Sequence, residues 1–256
     1  MQVMTFNCNG IRAAAQKGFF AWLATQSIDV VCLQETKAQE WQLQTGRFYP
    51  DGYYCNYFDA IRKGYAGTAI LSRREPDSVV RGFGWSPADQ EGRYLQADFG
   101  DLSVISLYLP SGSSGEARQN VKFACLDILW ERLQAMAEDG RRYIICGDWN
   151  MCHTEADLKN WRANRNRPGF LPAERAWLDR LYGELGFVDA FRLLHTQAGH
   201  YTWWSSRGQA RANNAGWRID YHVISPDLVS SVTDVRIHTA DVFSDHAPVT
   251  LELNLT

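Results

Sequence analysis

The sequence has no apolar run approaching the roughly 18 residues that a membrane-spanning helix needs, so a soluble, unanchored protein is expected. Its opening, MQVMTF, carries no basic cluster and leads straight into an expected strand, which argues against a signal peptide. The six cysteines (Cys8, Cys32, Cys55, Cys125, Cys146 and Cys152) contain no CxxC pair and mostly sit in apolar, strand-like runs. A disulfide framework is therefore not expected, and they read as reduced core thiols of a cytosolic protein. Neither sign of charge dominates: 26 basic residues stand against 29 acidic ones, a net charge of −3. Any surface for nucleic acid must then be a local patch, not a global field. Interdomain linkers and solenoid repeats are also missing. The two polar stretches, Ser111–Gly115 and Lys159–Gly169, are short and flanked by strong secondary-structure signals. One domain over residues 1–256 is expected.

Lysine is scarce, with five residues against 21 arginines. Arginine's planar fork grips phosphate in a bidentate way, so the bias is compatible with an anionic partner. Of the 256 residues, 45% are hydrophobic and 21% charged, enough for an ordinary globular core. Short apolar runs predict strands at Gln2–Cys8, Asp29–Leu33, Tyr53–Phe58, Gly67–Ser72, Arg93–Phe99 and Leu102–Leu109. Further strands are predicted at Arg142–Cys146, Trp217–Ser225, Val232–His238 and Ala247–Leu253. Helical periodicity covers Gly18–Gln26, Glu116–Glu138 and Pro172–Leu185, with Pro172 suited to a first turn. Short turns between most strands favour an α/β protein of two largely antiparallel sheets covered by helices.

Polar residues recur where these strands end. Asn7 and Asn9 follow the first, Glu35 the second, and Asp148 and Asn150 follow Tyr143–Gly147. Asp245 and His246 precede the last strand, and Asp220 interrupts an apolar run. One such residue is ordinarily a turn or cap. Several on separate strands are better explained by a single site at one sheet edge. Carboxylates and amides with little histidine suit Mg²⁺ or Mn²⁺, not zinc. Such an ion works beside substrate phosphates, and Asp148 with Asn150 can orient a water for phosphodiester hydrolysis. Residue types leave two readings of Asp220 open. It either pairs with His246 and fixes that imidazole, or it bonds Arg218 or a loop amide while His246 caps a strand.

These residues lie in motifs that resemble those of exonuclease III-type abasic-site endonucleases, a branch of the endonuclease/exonuclease/phosphatase superfamily. The motifs are FNCNGIR (6–12), LQETK (33–37), YLPSG (108–112), GDWN (147–150), DLKNW (157–161), GFLPAER (169–175), WRIDY (217–221) and SDHAP (244–248). They stand in the family's order across nearly the whole chain. The resemblance implies a four-layer α/β sandwich in which two mostly antiparallel mixed sheets are flanked by helices. It implies Glu35 as the principal metal ligand, with Asp245, Asn7 and Asn9 nearby, although some relatives carry an acid at position 9. Asp148 would activate water with Asn150, while His246, Asp220 and Tyr108 hold the scissile phosphate. Trp203, Trp217 and Ile219 would line a pocket for a sugar lacking its base.

For DNA, two basic stretches free of acids stand out. Residues 158–172 carry Lys159, Arg162, Arg165 and Arg167; residues 203–218 carry Arg207, Arg211 and Arg218 among tryptophans. By resemblance Asn164 contacts phosphate, and the loop holding Arg62, Lys63 and Tyr65 approaches a groove. Trp22, Trp130 and Trp177 are expected to be packing residues. The expected activity is Mg²⁺-dependent incision 5′ to abasic sites in duplex DNA, leaving a 3′-hydroxyl, with Mn²⁺ able to substitute. Activity at 3′-blocked ends and 3′→5′ exonuclease activity are further expectations, as are a monomer and a cytoplasmic, nucleoid-associated location of bacterial type. Two alternatives are a phospholipid or inositol-phosphate hydrolase of the superfamily and a non-catalytic nucleic-acid-binding regulator on the same fold.

Overall fold

The computed structural model describes residues 1–255. The chain runs β1 (Gln2–Asn7), α1 (Ile11–Gln16), α2 (Phe19–Leu23), β2 (Val30–Gln34), β3 (Tyr54–Phe58), β4 (Thr68–Ser72), β5 (Ser78–Arg81) and α3 (Ser86–Asp89). There follow β6 (Tyr94–Phe99), β7 (Leu102–Tyr108), α4 (Glu116–Glu138), β8 (Arg142–Asp148), α5 (Trp161–Asn164), α6 (Pro172–Gly183) and β9 (Val188–Asp189). The last part holds α7 (Ala190–Leu194), β10 (Trp203–Trp204), β11 (Gly216–Trp217), β12 (Asp220–Ile224), β13 (Val232–Ile237) and β14 (Val249–Leu253).

One six-stranded sheet has the order β13-β14-β1-β2-β4-β3, the other β5-β6-β7-β8-β12-β9. Among the described residues only β1–β2 and β7–β8 pair in parallel. The central strands are buried on both faces, which is why β2 (VVCLQ) and β8 (RYIICGD) read as continuous apolar runs without alternation. Between the sheets lies a core of Val3, Val30, Cys32, Ile70, Ala97, Val104, Ile144, Cys146 and Ile224. Helices α4 and α6 cover the outer face of the second sheet, and α1 and α2 that of the first. The result is the expected four-layer α/β sandwich. Among the described residues no helix is long and apolar enough to cross a membrane.

The expected strand Trp217–Ser225 is divided. Gly216–Trp217 pairs with Trp203–Trp204 as a separate ribbon, and only Asp220–Ile224 enters the large sheet. The break falls at Arg218, whose backbone N–H and side chain are both drawn to Asp157. Strands β5, β9 and β10 and helices α1, α3, α5 and α7 lie outside the expected elements, being too short for their periodicity to register. The thiols are free, and all but Cys55 are buried. Trp177 is buried, with Trp22 and Trp130 packed against the cores as expected.

This topology collects the polar strand ends. β1, β2, β7 and β8 finish at one edge of the two sheets, where antiparallel β12 begins, so Asp220 lies directly opposite Asp148. Gly147 lets β8 approach β7 just before Asp148, because a Cβ there would fall 1.8 Å from the Leu107 carbonyl oxygen.

Candidate active site

At that edge lies a cleft of about 880 Å³. Its lining includes Asn9, Glu35, Tyr108, Asp148, Asn150, Asn164, Arg167, Trp203, Trp217, Ile219, Asp245 and His246. Several backbone conformations here are strained. Asn9, Glu35, Lys37 and Asn150 all have φ between +42° and +57°. For residues with a side chain this costs about 1–3 kcal/mol each, and such strain concentrates at functional sites. Glu35 and Lys37 are held there by the loop that follows β2, whose Thr36 and Lys37 N–H groups donate to the Gly67 and Ala66 carbonyls.

Asp148 is buried and closely supported. It accepts from Asn7 Nδ2 at 2.8 Å and from the Asn150 backbone N–H at 2.8 Å, with Asn150 Nδ2 at 3.3 Å. Burial, reinforced by Asp220, pushes its carboxyl up to about 7 despite the opposing pull of His246. Asp220 pairs with His246, whose Nδ1 lies 2.9 Å from Oδ2, so the first of the two open readings is the one the fold adopts. Arg218 goes elsewhere: it is itself buried and bonds Asp157 and both oxygens of Asp189. Burial alone would lower the His246 pKa, but Asp220, Asp148 and Asp245 outweigh it and hold the imidazole up at about 10. At neutral pH the ring is a cation with a donor on each nitrogen, its Nε2 lying 3.9 Å from Asp148.

Asp148, Asp220 and His246 cluster tightly enough to suggest a metal site. In this structure the His246 ring is committed to Asp220, and a protonated imidazole has no lone pair to give. The oxygen-rich group around Glu35 fits a hard divalent cation better. The ammonium of Lys37 already rests there, 2.8 Å from Glu35 Oε1 and 2.6 Å from Asn9 Oδ1. Asn9 also donates to Asp245 at 2.9 Å, and Trp203 Nε1 donates to the other Asp245 oxygen at 3.0 Å. Asp245 is held below the usual carboxylate range: burial opposes this, but His246, Asn9, Trp203 and Ser244 prevail. Asn7 differs from expectation. It turns its nitrogen toward Glu35 (3.0 Å) and Asp148, while its oxygen accepts the Asn9 backbone N–H, so it braces the two acids.

Tyr108 lines the cleft with Arg93 stacked 4.4 Å from its ring centre. Burial and Glu35 raise its pKa well above the ordinary value, so its hydroxyl keeps its proton. Trp203 and Trp217 meet edge to face at 6.4 Å and pack with Ile219, Leu158 and Phe170. Lys159, Arg162, Asn164 and Arg167 line an adjoining hollow of about 380 Å³, and Arg165 is exposed beside it.

Other expectations need correction. Arg218 belongs to no binding surface, and Arg211 is occupied by the Ser244 and Thr239 carbonyls and the Trp204 ring. The loop of Arg62, Lys63 and Tyr65, expected to approach a DNA groove, stands outside the cleft lining, which does not conflict with that expectation. Tyr65 packs behind Tyr108 and accepts from Arg118 at 2.7 Å, while Arg62 and Lys63 are exposed over Tyr65 and Trp41. Arg207 of the second basic stretch lines the cleft, and so do Lys37 and Ser205, which carry no expectation from the sequence. Of these, Lys37 had a legible signal, a cation two positions beyond Glu35.

A family model described as the Endonuclease/Exonuclease/phosphatase family matches residues 4–246. An exodeoxyribonuclease of Bacillus subtilis (strain 168) is 38% identical over the full length of both chains. The DNA repair nuclease APEX1 of Danio rerio is 37% identical over 99% of this chain and 82% of its own. The structure of an AP endonuclease from Archaeoglobus fulgidus superposes with a TM-score of 0.90 at 28% identity, covering all of both chains. With a site of this composition at the shared sheet edge, the chain belongs to the Endonuclease/Exonuclease/phosphatase family, in its branch of exodeoxyribonucleases and AP endonucleases.

Proposed function

We propose that this chain is a single-domain DNA-repair phosphodiesterase that cuts duplex DNA 5′ to an abasic site, leaving a 3′-hydroxyl. The same site would release 3′-blocking groups and remove nucleotides from 3′ ends. The observation that carries the reading is the placement of Asp148 beside His246 and, through Asn7, beside the oxygen-rich group around Glu35, in a cleft that Lys37, Arg167 and Arg207 also line. Likeness to an exodeoxyribonuclease and an AP endonuclease supports it.

In this reading His246 and Tyr108 donate to the oxygens of the scissile phosphate. Asp148, with a pKa matched to neutral pH, accepts a proton from the attacking water, and Asn7 and Asn150 fix its orientation. Water adds to phosphorus and the bond to the 3′ oxygen breaks, charge being stabilised more than covalent bonds are made. Glu35, with Asp245 and Asn9 beside it, would hold a divalent cation, which when bound would supply compensation for negative charge developing at the phosphate. The donor chemistry favours Mg²⁺, with Mn²⁺ as a substitute.

Trp203, Trp217 and Ile219 form an apolar wall against which a sugar without its base can pack, whereas an intact nucleotide within a duplex would first have to leave its stack and its pair. Duplexes lacking a base also deform and flip out cheaply, which adds selectivity. Lys159, Arg162, Arg165, Arg167 and Asn164 would follow the backbone, with Arg62 and Lys63 reaching it from the far side. We take the protein to act as a monomer in the nucleoid-containing cytoplasm of a bacterium. A labelled duplex with one abasic analogue, incubated with Mg²⁺ or EDTA beside an intact control, tests the reading. Metal-dependent incision 5′ to the lesion is expected; binding without cleavage would favour a regulator instead.

A further inference from the structure

Helix α4 buries a stripe of Gln119, Lys122, Cys125, Leu126, Leu129, Leu133 and Met136. Most of this is what a helix packed on a sheet should bury. Gln119 and Lys122 are not, and they lie at the end of α4 nearest the cleft loops. Lys122 has no exposed surface, and neither has its partner Glu174 in the first turn of α6. Lys122 Nζ donates to Glu174 Oε1 at 2.6 Å and to the Asn150 carbonyl oxygen at 2.8 Å. The other Glu174 oxygen accepts from the Gly169 and Leu171 N–H groups at 2.7 and 2.9 Å. Gln119 donates to Glu174 at 3.3 Å and presses on Gly112, where a Cβ would fall 1.6 Å from its Oε1.

One buried polar cluster thus underlies three loops that line the cleft, those around residues 111–113, 148–150 and 167–169. Apolar residues of similar volume could fill this space without desolvating two charges. What the charges provide is direction, since they partner backbone groups that no sheet ladder satisfies. The consequence reaches Asp148 in one step. Asn150 is held at φ +53°, and in that conformation its backbone N–H and side-chain amide both point to Asp148. On the other side, Gly169 sits 3.3 Å from both the Asn150 carbonyl oxygen and the Trp217 ring, measured from where a Cβ would stand.

We propose that Lys122 and Glu174 are positioning residues: Lys122 sets the Asn150 peptide that orients Asp148, and Glu174 docks the 169–171 loop against Trp217. This rests on the reading of Asp148 and Asn150 as groups of the reaction site. The test is steady-state incision of an abasic duplex with Mg²⁺ by wild type, Lys122→Met, Glu174→Gln and the double variant, with melting temperature and DNA affinity in EDTA measured on each. Each single variant leaves a buried group without its partner and should melt lower. The double variant removes both charges and should recover much of that loss, yet its kcat should remain roughly 10- to 100-fold below wild type with DNA affinity little changed. A double variant that regains both stability and wild-type kcat would show the pair to be structural only. Lys122→Arg keeps a cationic donor and should recover turnover that Lys122→Met loses, at a temperature where both are folded. An arginine variant as slow as the methionine one would overturn the assignment. Wild-type protein that fails to incise refutes the underlying reading of the site, a result separate from any of these.

Discussion

Asp148 and Asp220 face each other across antiparallel strands β8 and β12, both buried, and His246 spans them with Nδ1 2.9 Å from Asp220 and Nε2 3.9 Å from Asp148. Like charges directly opposed on a ladder repel, and the imidazolium between them converts that repulsion into attraction. The same arrangement keeps a donor aimed toward the cleft while leaving Asp148 close to neutral pH.

Removal of the Asp220 charge should therefore act through His246. With its pKa held at about 10, the imidazole of the wild type stays charged until well above neutrality. In Asp220→Asn burial is no longer outweighed to the same degree, so the pKa falls. The alkaline limb of the kcat/KM profile should move to lower pH, and turnover at pH 8 should drop by roughly 10²–10³. An unchanged profile would detach Asp220 from the reaction.

Asp148→Asn should abolish incision and leave abasic-duplex binding largely intact. It should also raise the melting temperature in EDTA. A carboxyl whose folded pKa is raised contributes stability at low pH and loses it as pH rises through about 7, so at pH 8 the native Asp148 is a liability. Thermal melts at pH 5 and pH 8 check this, the gain in the asparagine variant being larger at pH 8. Near wild-type cleavage would remove Asp148 from its role.

Glu35→Gln keeps the size and one acceptor oxygen but takes away the charge nearest Lys37. The Mg²⁺ concentration for half-maximal incision should rise by about tenfold or more. A metal titration that superposes on the wild type would place the cation elsewhere.

His222 offers an independent check on the core. It is buried on β12, bonds the Val3 carbonyl of the other sheet through Nε2, and has no partner at Nδ1. Burial pushes its pKa down to about 3. The unfolded chain takes up this proton near pH 6.5 and the folded one does not, so stability is full above 6.5 and declines as pH falls toward 3. The contribution is at most about 1.4 kcal/mol per pH unit. Urea melts of wild type and His222→Gln between pH 4 and 7 should differ in slope, the wild type losing stability faster.

Much of the fold was legible because its signals are local. The buried stripe of α4 marked Glu116–Glu138 at both ends, and runs such as Val30–Leu33 and Tyr143–Cys146 marked central strands. The acids and amides that end those strands are conspicuous against packing, so Glu35, Asp148, Asp220, Asp245 and His246 group together on residue type and position alone. Less legible were elements of two to four residues, such as β9 and β10, which lack enough sequence to carry a period.

What the sequence determined by itself was the set of elements and the chemical character of their ends. Tertiary structure alone decided the partners. Arg218 and His246 were both within reach of an acid in the reading of residues, but register put Asp220 opposite Asp148 and under His246, while Arg218 was taken by Asp157 and Asp189. The placement of Lys122 beneath Asn150, the nitrogen of Asn7 between two carboxylates, and the positive φ of Glu35 are likewise set by residues distant in the chain. Periodicity and propensity describe how a segment buries itself. Pairing of charges depends on which segments meet, and that is fixed only when two sheets have packed.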